Sequence, residues 1–361
     1  MSEPSTRADD FLSLVQRARR GHLKLYIGFA AGVLVMKLLL LACEAGTIFQ
    51  LAVAGSNNPW RYPRDGGRMA VLYALNPLLI LEIVGNCHFE GLMIFCLVAG
   101  VRALEQNRAR VAAVFWALAT AAKLLPLMFL PILFRYLGKE KRIGFLSLFA
   151  LLSLVLFAPL LGVLPNIASS LDLYFRQFQF NASVYYLLRA FGFLLKGYDV
   201  GETLGQMLGL ATVAGVVMIA RKVSTAPGHS PEGMAAIAPG AEVKVAGIAA
   251  SGLGLTDALL LALMLQLSLS AAVHPWYATV PLALGIMAGR RFPVWWSGLV
   301  ALSYSHYSGG GFQENYWLIA LEYSALWGLI LLEFRELRVA RRILSVFTPS
   351  RFRPRNNPPG S

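Results

Sequence analysis

The sequence predicts an all-α, multi-span transmembrane helical bundle, and three observations carry that reading. Hydrophobic residues make up 57% of the 361-residue chain and charged residues only 14%, against a charged share of about 25% in soluble domains. Apolar runs recur from residue 25 to residue 334, too many for a single signal peptide. The basic residues behind the net charge of +13 lie in short blocks between those runs. That is the pattern of cytoplasmic membrane loops rather than of a nucleic-acid surface. Irregular backbone and open sheet edges cannot face hydrocarbon, so the spans are helices. About eight to ten spanning or half-spanning helices are expected, with interfacial amphipathic helices on the outer face.

The chain divides into a polar N-terminal arm (1–24), a single transmembrane domain (25–334) and a basic cytoplasmic tail (335–361). In the arm, residues 11–24 suit a short amphipathic surface helix with Asp10 as its cap. The apolar run 26–54 exceeds the roughly 20 residues a crossing needs. Lys37 and Glu44 interrupt it seven residues apart, on one helix face. Either one tilted helix runs its full length, or an interfacial piece to residue 36 leads into a span. Runs 69–85 and 92–104 form a helical hairpin around Asn86-Cys87-His88-Phe89-Glu90. Run 112–137 holds Lys123 and is broken by Pro126 and Pro131, which predicts two short helices meeting near Lys123.

Further spans are expected at 145–161, 204–220, 256–272, 278–288, 295–304 and 318–332. Residues 165–196, rich in aromatics with sparse Arg and Asn, suit the membrane–water interface. The Ala/Gly/Pro-rich stretch 222–252 reads as a flexible cytoplasmic loop. Cys43, Cys87 and Cys96 show neither metal spacing nor a disulfide framework.

Assigning the basic loops to the cytoplasm puts every unusual polar cluster on the opposite face. These are the turn 86–90, the break at Lys123, the segment 165–196, the stretch 274–277 and the loop 306–316. A single crossing between residues 25 and 54 would leave the basic N-terminus outside, against the same rule.

An ionisable group at a lipid-exposed helix centre costs roughly 2.5–3.5 kcal/mol, so Glu82, His88 and Glu90 are expected to face the bundle interior or a polar cavity. Glu82 and Asn86 are four residues apart and suit a hydrogen bond along one helix face. His88 and Glu90 form an acid–base or metal-binding pair, or simply a polar turn. Lys123 is either a snorkelling lysine or a phosphate-binding ammonium at a helix break. His274-Pro275-Trp276-Tyr277 is an interfacial anchor or a sugar-facing surface. Arg176, Asn181, Tyr185, Tyr186 and Arg189 grip a phosphate or glycan, or anchor an interfacial helix. There is no P-loop, no G-x-G-x-x-G before a helix and no H-E-x-x-H, so cytosolic nucleotide-driven chemistry is not indicated.

Four motifs taken in order resemble the GT-C superfamily of integral-membrane glycosyltransferases. They are Leu75-Asn76-Pro77…Glu82…Asn86-x-His88-x-Glu90, Lys123-Leu124-Leu125-Pro126, Phe180-Asn181-x-Ser183-x-Tyr185-Tyr186-x-x-Arg189, and His274-Pro275-Trp276-Tyr277. The likeness is nearest to bacterial mannosyltransferases that use polyprenyl-phosphate mannose. It implies transfer of a hexose, mannose foremost, from a polyprenyl-phosphate sugar donor to a lipid or glycan acceptor. The site would face outward from the bacterial cytoplasmic membrane, among membrane lipids. On this reading Lys123, Arg176 and Arg189 hold the donor phosphate. Asn86, Asn181, Tyr185, His274, Trp276 and Tyr277 surround sugar and acceptor, and Glu90 with His88 is the catalytic pair. The resemblance fixes no cofactor, and a divalent metal stays an open alternative.

Such enzymes usually carry an acidic residue in a first outer loop that follows an initial span. Here only a short arm with Asp9 and Asp10 precedes the apolar run, so the chain is expected to be a core without those opening helices. Two alternatives follow: a catalytically incomplete subunit that binds lipid-linked sugar or supports a partner subunit, and a polyprenyl-lipid transporter. No internal repeat of the transporter kind is visible.

Overall fold

A computed structural model describes residues 5–54, 65–167, 169–170, 178–225, 253–307 and 313–347. Among them every regular element is helical, and strand pairing is limited to the isolated bridges Phe180–Ala272 and Val223–Leu253. Gly28–Ala54, Lys139–Ile167, Gly201–Arg221 and Tyr316–Glu336 are each long and apolar enough to cross a membrane. The bent pair Gly66–Ala74 and Pro77–Gly85 makes a fifth span if counted as one, and shorter apolar helices lie between. This is the mixture of spanning and half-spanning helices that the hydrophobic pattern predicts. The loop expected at 222–252 and the tail beyond 347 fall largely outside the described residues.

Helix α1 (Ser5–Ala54) contains no proline and runs unbroken, so the helix starts before Asp10 and passes through the boundary expected at residue 24. The full-length alternative for the first apolar run is therefore the observed one. Its buried Glu44 accepts a hydrogen bond from Tyr73 Oη at 3.1 Å, which gives an intramembrane carboxyl a donor.

Helix α2 (Gly66–Ala74) ends just before Asn76, and α3 (Pro77–Gly85) departs at 50°. The cause is local. Asn76 Oδ1 accepts from Leu78 N at 3.0 Å, with Pro77 opening the new helix where a missing N–H costs nothing. The Asn76 amide also donates to Ser297 Oγ at 2.8 Å, tying the break to a distant helix. The last six residues of α3, Ile80–Gly85, form a π-helix, and Asn86 N reaches back five residues to Leu81 O at 2.9 Å. Cys87, at φ 59°, then reverses the chain into α4 (Glu90–Glu105). Gly91 is required here: a Cβ on it would lie 2.4 Å from Ile83 Cγ2 and 3.3 Å from Glu44 Oε1.

Helix α5 (Ala109–Ala122) packs between α4 and α7 (Lys139–Phe157). It stops at Lys123, whose backbone is extended (φ −155°, ψ 144°), before a 3₁₀ turn at Leu125–Phe129 and α6 (Leu130–Tyr136). The amphipathic α8 (Val184–Lys196) precedes α9 (Gly201–Arg221). Then come α10 (Leu255–Leu269), the turn Pro275–Ala278 with α11 (Thr279–Ala288), α12 (Phe292–Leu299) and α13 (Tyr316–Phe347). Trp116, Phe129, Phe145, Leu259, Leu282 and Trp296 fill the core, whereas Leu151 and Leu154 of α7 and Leu210 and Val213 of α9 remain exposed. Large apolar side chains left outside on long helices are what a lipid-facing surface requires.

Candidate functional site

The start of α4 and the Pro275–Ala278 turn both meet the break after α5. Glu90 opens α4 and is 1% exposed; its Oε1 pairs with Lys123 Nζ from the break after α5. Lys123 Nζ also sits 5.2 Å above the Tyr277 ring, within range of a cation–π contact. Glu90 Oε2 is buried without a hydrogen-bond partner, and His88 Nδ1 lies 4.0 Å from it.

Glu82 organises the other side of the turn. The Asn86 amide donates to its Oε2 at 3.1 Å, as the four-residue spacing predicts. His88 Nε2 lies 3.1 Å from the same oxygen, and Tyr304 Oη donates to Oε1. Both oxygens of this carboxylate thus serve to position the turn. They fix the His88 ring with Nδ1 towards Glu90.

His88 is the first ring of a column. It stacks on Trp276 at 4.1 Å between centroids, Trp276 on His274 at 4.2 Å, and His274 on Phe180 at 4.7 Å. His274 sits in the connection between α10 and α11 and is buried. Loss of solvent, with smaller contributions from the Lys123 and His88 charges and against an opposing one from Glu82, brings its imidazole down to about 4. It is therefore neutral at pH 7. The sign follows: unfolded His274 binds a proton near 6.5 and the folded one does not. Its contribution to stability is present above that value and lost as pH falls towards about 4. We expect the melting temperature to drop across this window, and to drop less in His274→Phe. Equal slopes for the two proteins would remove His274 as the cause.

Asn181 is fully buried at φ 46° and faces another network. Its N–H donates to Glu314 Oε1 at 2.8 Å and its amide to Glu322 at 3.2–3.4 Å, while Tyr323 Oη donates to its carbonyl at 2.8 Å. Trp296 Nε1 completes Glu322 at 2.9 Å. Together with the bridge of Phe180 N–H and C=O to Ala271 and Val273, this network holds residues 178–183 against the His274 end of the column. Removing one partner of such a buried network leaves the others unpaired, at about 1–3 kcal/mol each. Asn181→Ala is therefore expected to lower the melting temperature by several degrees, whereas Gln313→Ala on the exposed neighbouring turn is not. An Asn181→Ala protein as stable as wild type would show that the network does not hold the segment.

Not every predicted residue joins the pair. Arg189 donates to both Asp199 oxygens and to Gln179 Oε1 at 2.6 Å. That guanidinium, with the Gly201 N–H, holds the Asp199 carboxyl down to about 2. Tyr185 is buried, its hydroxyl between Gln179 and the Gly201 carbonyl. Both brace, through Gln179, the segment carrying Phe180. Arg176 lies outside the described residues. Trp276 and Tyr277 are half-buried and Asn86 is exposed at the mouth of the turn. Among the described residues, no three His, Cys, Asp or Glu side chains are arranged to hold a metal ion.

Tyr304 and Phe180 were not singled out as site residues by the sequence. Tyr304 ends an apolar run and carries no local signal; only the fold brings it to Glu82.

No curated protein and no solved structure matches the chain. Residues 24–138, about a third of its length and the part that carries Glu82, Asn86, His88, Glu90 and Lys123, match the family model of the alpha-(1->6)-mannopyranosyltransferase N-terminal domain.

Proposed function

We propose that this protein is a membrane mannosyltransferase that takes mannose from a polyprenyl-phosphate donor and passes it to a lipid or glycan hydroxyl on the extracytoplasmic side. One observation carries the reading: a buried carboxylate with a free oxygen, Glu90 Oε2, adjoins a lysine at a helix break among sugar-sized aromatic faces. The likeness of residues 24–138 to a mannosyltransferase domain supports the choice of sugar. The clustering of basic loops away from this site supports its outward orientation.

In this mechanism the donor phosphate binds the Lys123 ammonium and competes with Glu90 for it. Glu90, released from its counter-ion, accepts the proton of the acceptor hydroxyl as that oxygen attacks the anomeric carbon. The bond from the anomeric carbon to the phosphate oxygen breaks, and its electron pair leaves with the polyprenyl phosphate. Lys123 stabilises the charge that develops there. His88, oriented by Glu82, presents to the sugar the ring face turned away from Trp276, and Trp276, stacked between His88 and His274, backs it. The test is incubation of the purified full chain with labelled polyprenyl-phosphate mannose and a mannoside acceptor. Labelled product supports the assignment; donor bound and never consumed supports an incomplete subunit instead, and a chain that neither binds nor consumes it overturns the reading.

A further inference from the structure

An open groove lies at the far end of α5 from Lys123. Arg108 caps one end of this helix and Lys123 the other, and its 14 residues separate the two ends by about 20 Å at 1.5 Å per residue. The groove has a volume of about 330 Å³ between the start of α5 and the start of α7. Its rim is basic: Arg108, Arg110 and Lys141 line it against a single acid, Glu140. Arg108 and Arg110 are exposed, and neither has an ion-pair partner among the described residues. Lys141 is anchored by donating to Asn107 Oδ1.

Its floor is apolar. Ala109 and Val111 of α5 and Gly144 of α7 supply it, with the polar Asn107 at the edge beside Lys141, and a Cβ added at Gly144 would meet nothing within 4 Å. Val114 and Leu118 continue the Val111 face of α5, and Leu151 continues the Gly144 face of α7; all three are exposed. Cationic groups above an apolar channel between two membrane helices match a phosphate that carries acyl chains. A free phosphate has no use for the channel, and a zwitterionic headgroup brings a cation to a cationic rim.

We propose that this groove binds an anionic phospholipid, its phosphate held by Arg108, Arg110 and Lys141 and one acyl chain lying along Val111, Val114 and Gly144. The site is separate from the Glu90–Lys123 pair and does not depend on the function assigned to that pair.

The experiment is native mass spectrometry of the delipidated full-length protein titrated with phosphatidylglycerol, phosphatidylcholine or inorganic phosphate. Saturable binding is expected for phosphatidylglycerol alone. The double variant Arg108→Ala/Arg110→Ala should bind it roughly thirtyfold more weakly, as expected from two lost basic contacts near a membrane surface. Gly144→Leu, which keeps every charge and fills open space on a helix, should weaken binding by blocking the chain. Equal retention of phosphatidylcholine, an unchanged double variant, an unchanged Gly144→Leu protein, or displacement of the lipid by millimolar inorganic phosphate would each overturn the proposal.

Discussion

Glu90→Gln is expected to lower mannosyl transfer by roughly 10²–10⁴-fold, the usual contribution of a positioned general base, while the donor binds at least as tightly as to wild type. Glutamine keeps the shape and burial of Glu90 but cannot take a proton. It also leaves Lys123 without its counter-ion, so the ammonium meets the donor phosphate with no competitor. Initial rates and donor affinity measured on the same preparation separate the two effects. A variant that transfers at the wild-type rate would place the base elsewhere. Loss of donor binding along with the rate would make Glu90 a structural partner of Lys123.

Lys123→Ala is expected to act twice. A charge-assisted contact to phosphate is worth about 1.5–3 kcal/mol, so donor affinity should fall roughly 10- to 150-fold. The change also strands a carboxylate that is 1% exposed, and removal of one member of a buried ion pair costs about 3–5 kcal/mol of stability. The double variant Lys123→Met/Glu90→Gln removes both charges and isolates the first effect. Its thermal stability should recover towards wild type, and its donor affinity should stay low. If donor binding recovers together with stability, Lys123 serves the fold and the phosphate is held by other groups.

How much of this was legible depends on the range of the interaction involved. The helix break at Lys123 was readable because Pro126 and Pro131 act on their own neighbours. The Glu82–Asn86 bond was readable because its partners are four residues apart on one face. The turn at 86–90 was visible as polar residues in an apolar run, but its π-helical approach was not, since an extra residue per turn leaves no mark on composition. Lys123 and Glu90 are 33 residues apart, and each was picked out separately for its cost in a membrane; their pairing came only from the fold. Asn181 shows the limit from the other side. The motif marks it as a sugar ligand, and the fold adds a bond that the motif does not show: its Nδ2 donates to Glu322, 141 residues away, while its Oδ1 stays without a partner. Tyr304 and Glu82, 222 residues apart, left no trace of their contact in sequence.

The stretch from Asn76 to Glu90 is fastened at both ends, to Ser297 at the first and to Lys123 at the last. Between those anchors the π-helix at Ile80–Gly85 takes up one residue more than an α-helical path would. The segment therefore behaves as a spacer of fixed length. Glu82 points at His88, and His88 at Glu90, because of the number of residues counted between the two fasteners as much as because of which residues they are. Relatives that share this chemistry should tolerate exchanges among the apolar positions 78–81 and 83–84, yet keep the number of residues constant from Asn76 to Glu90.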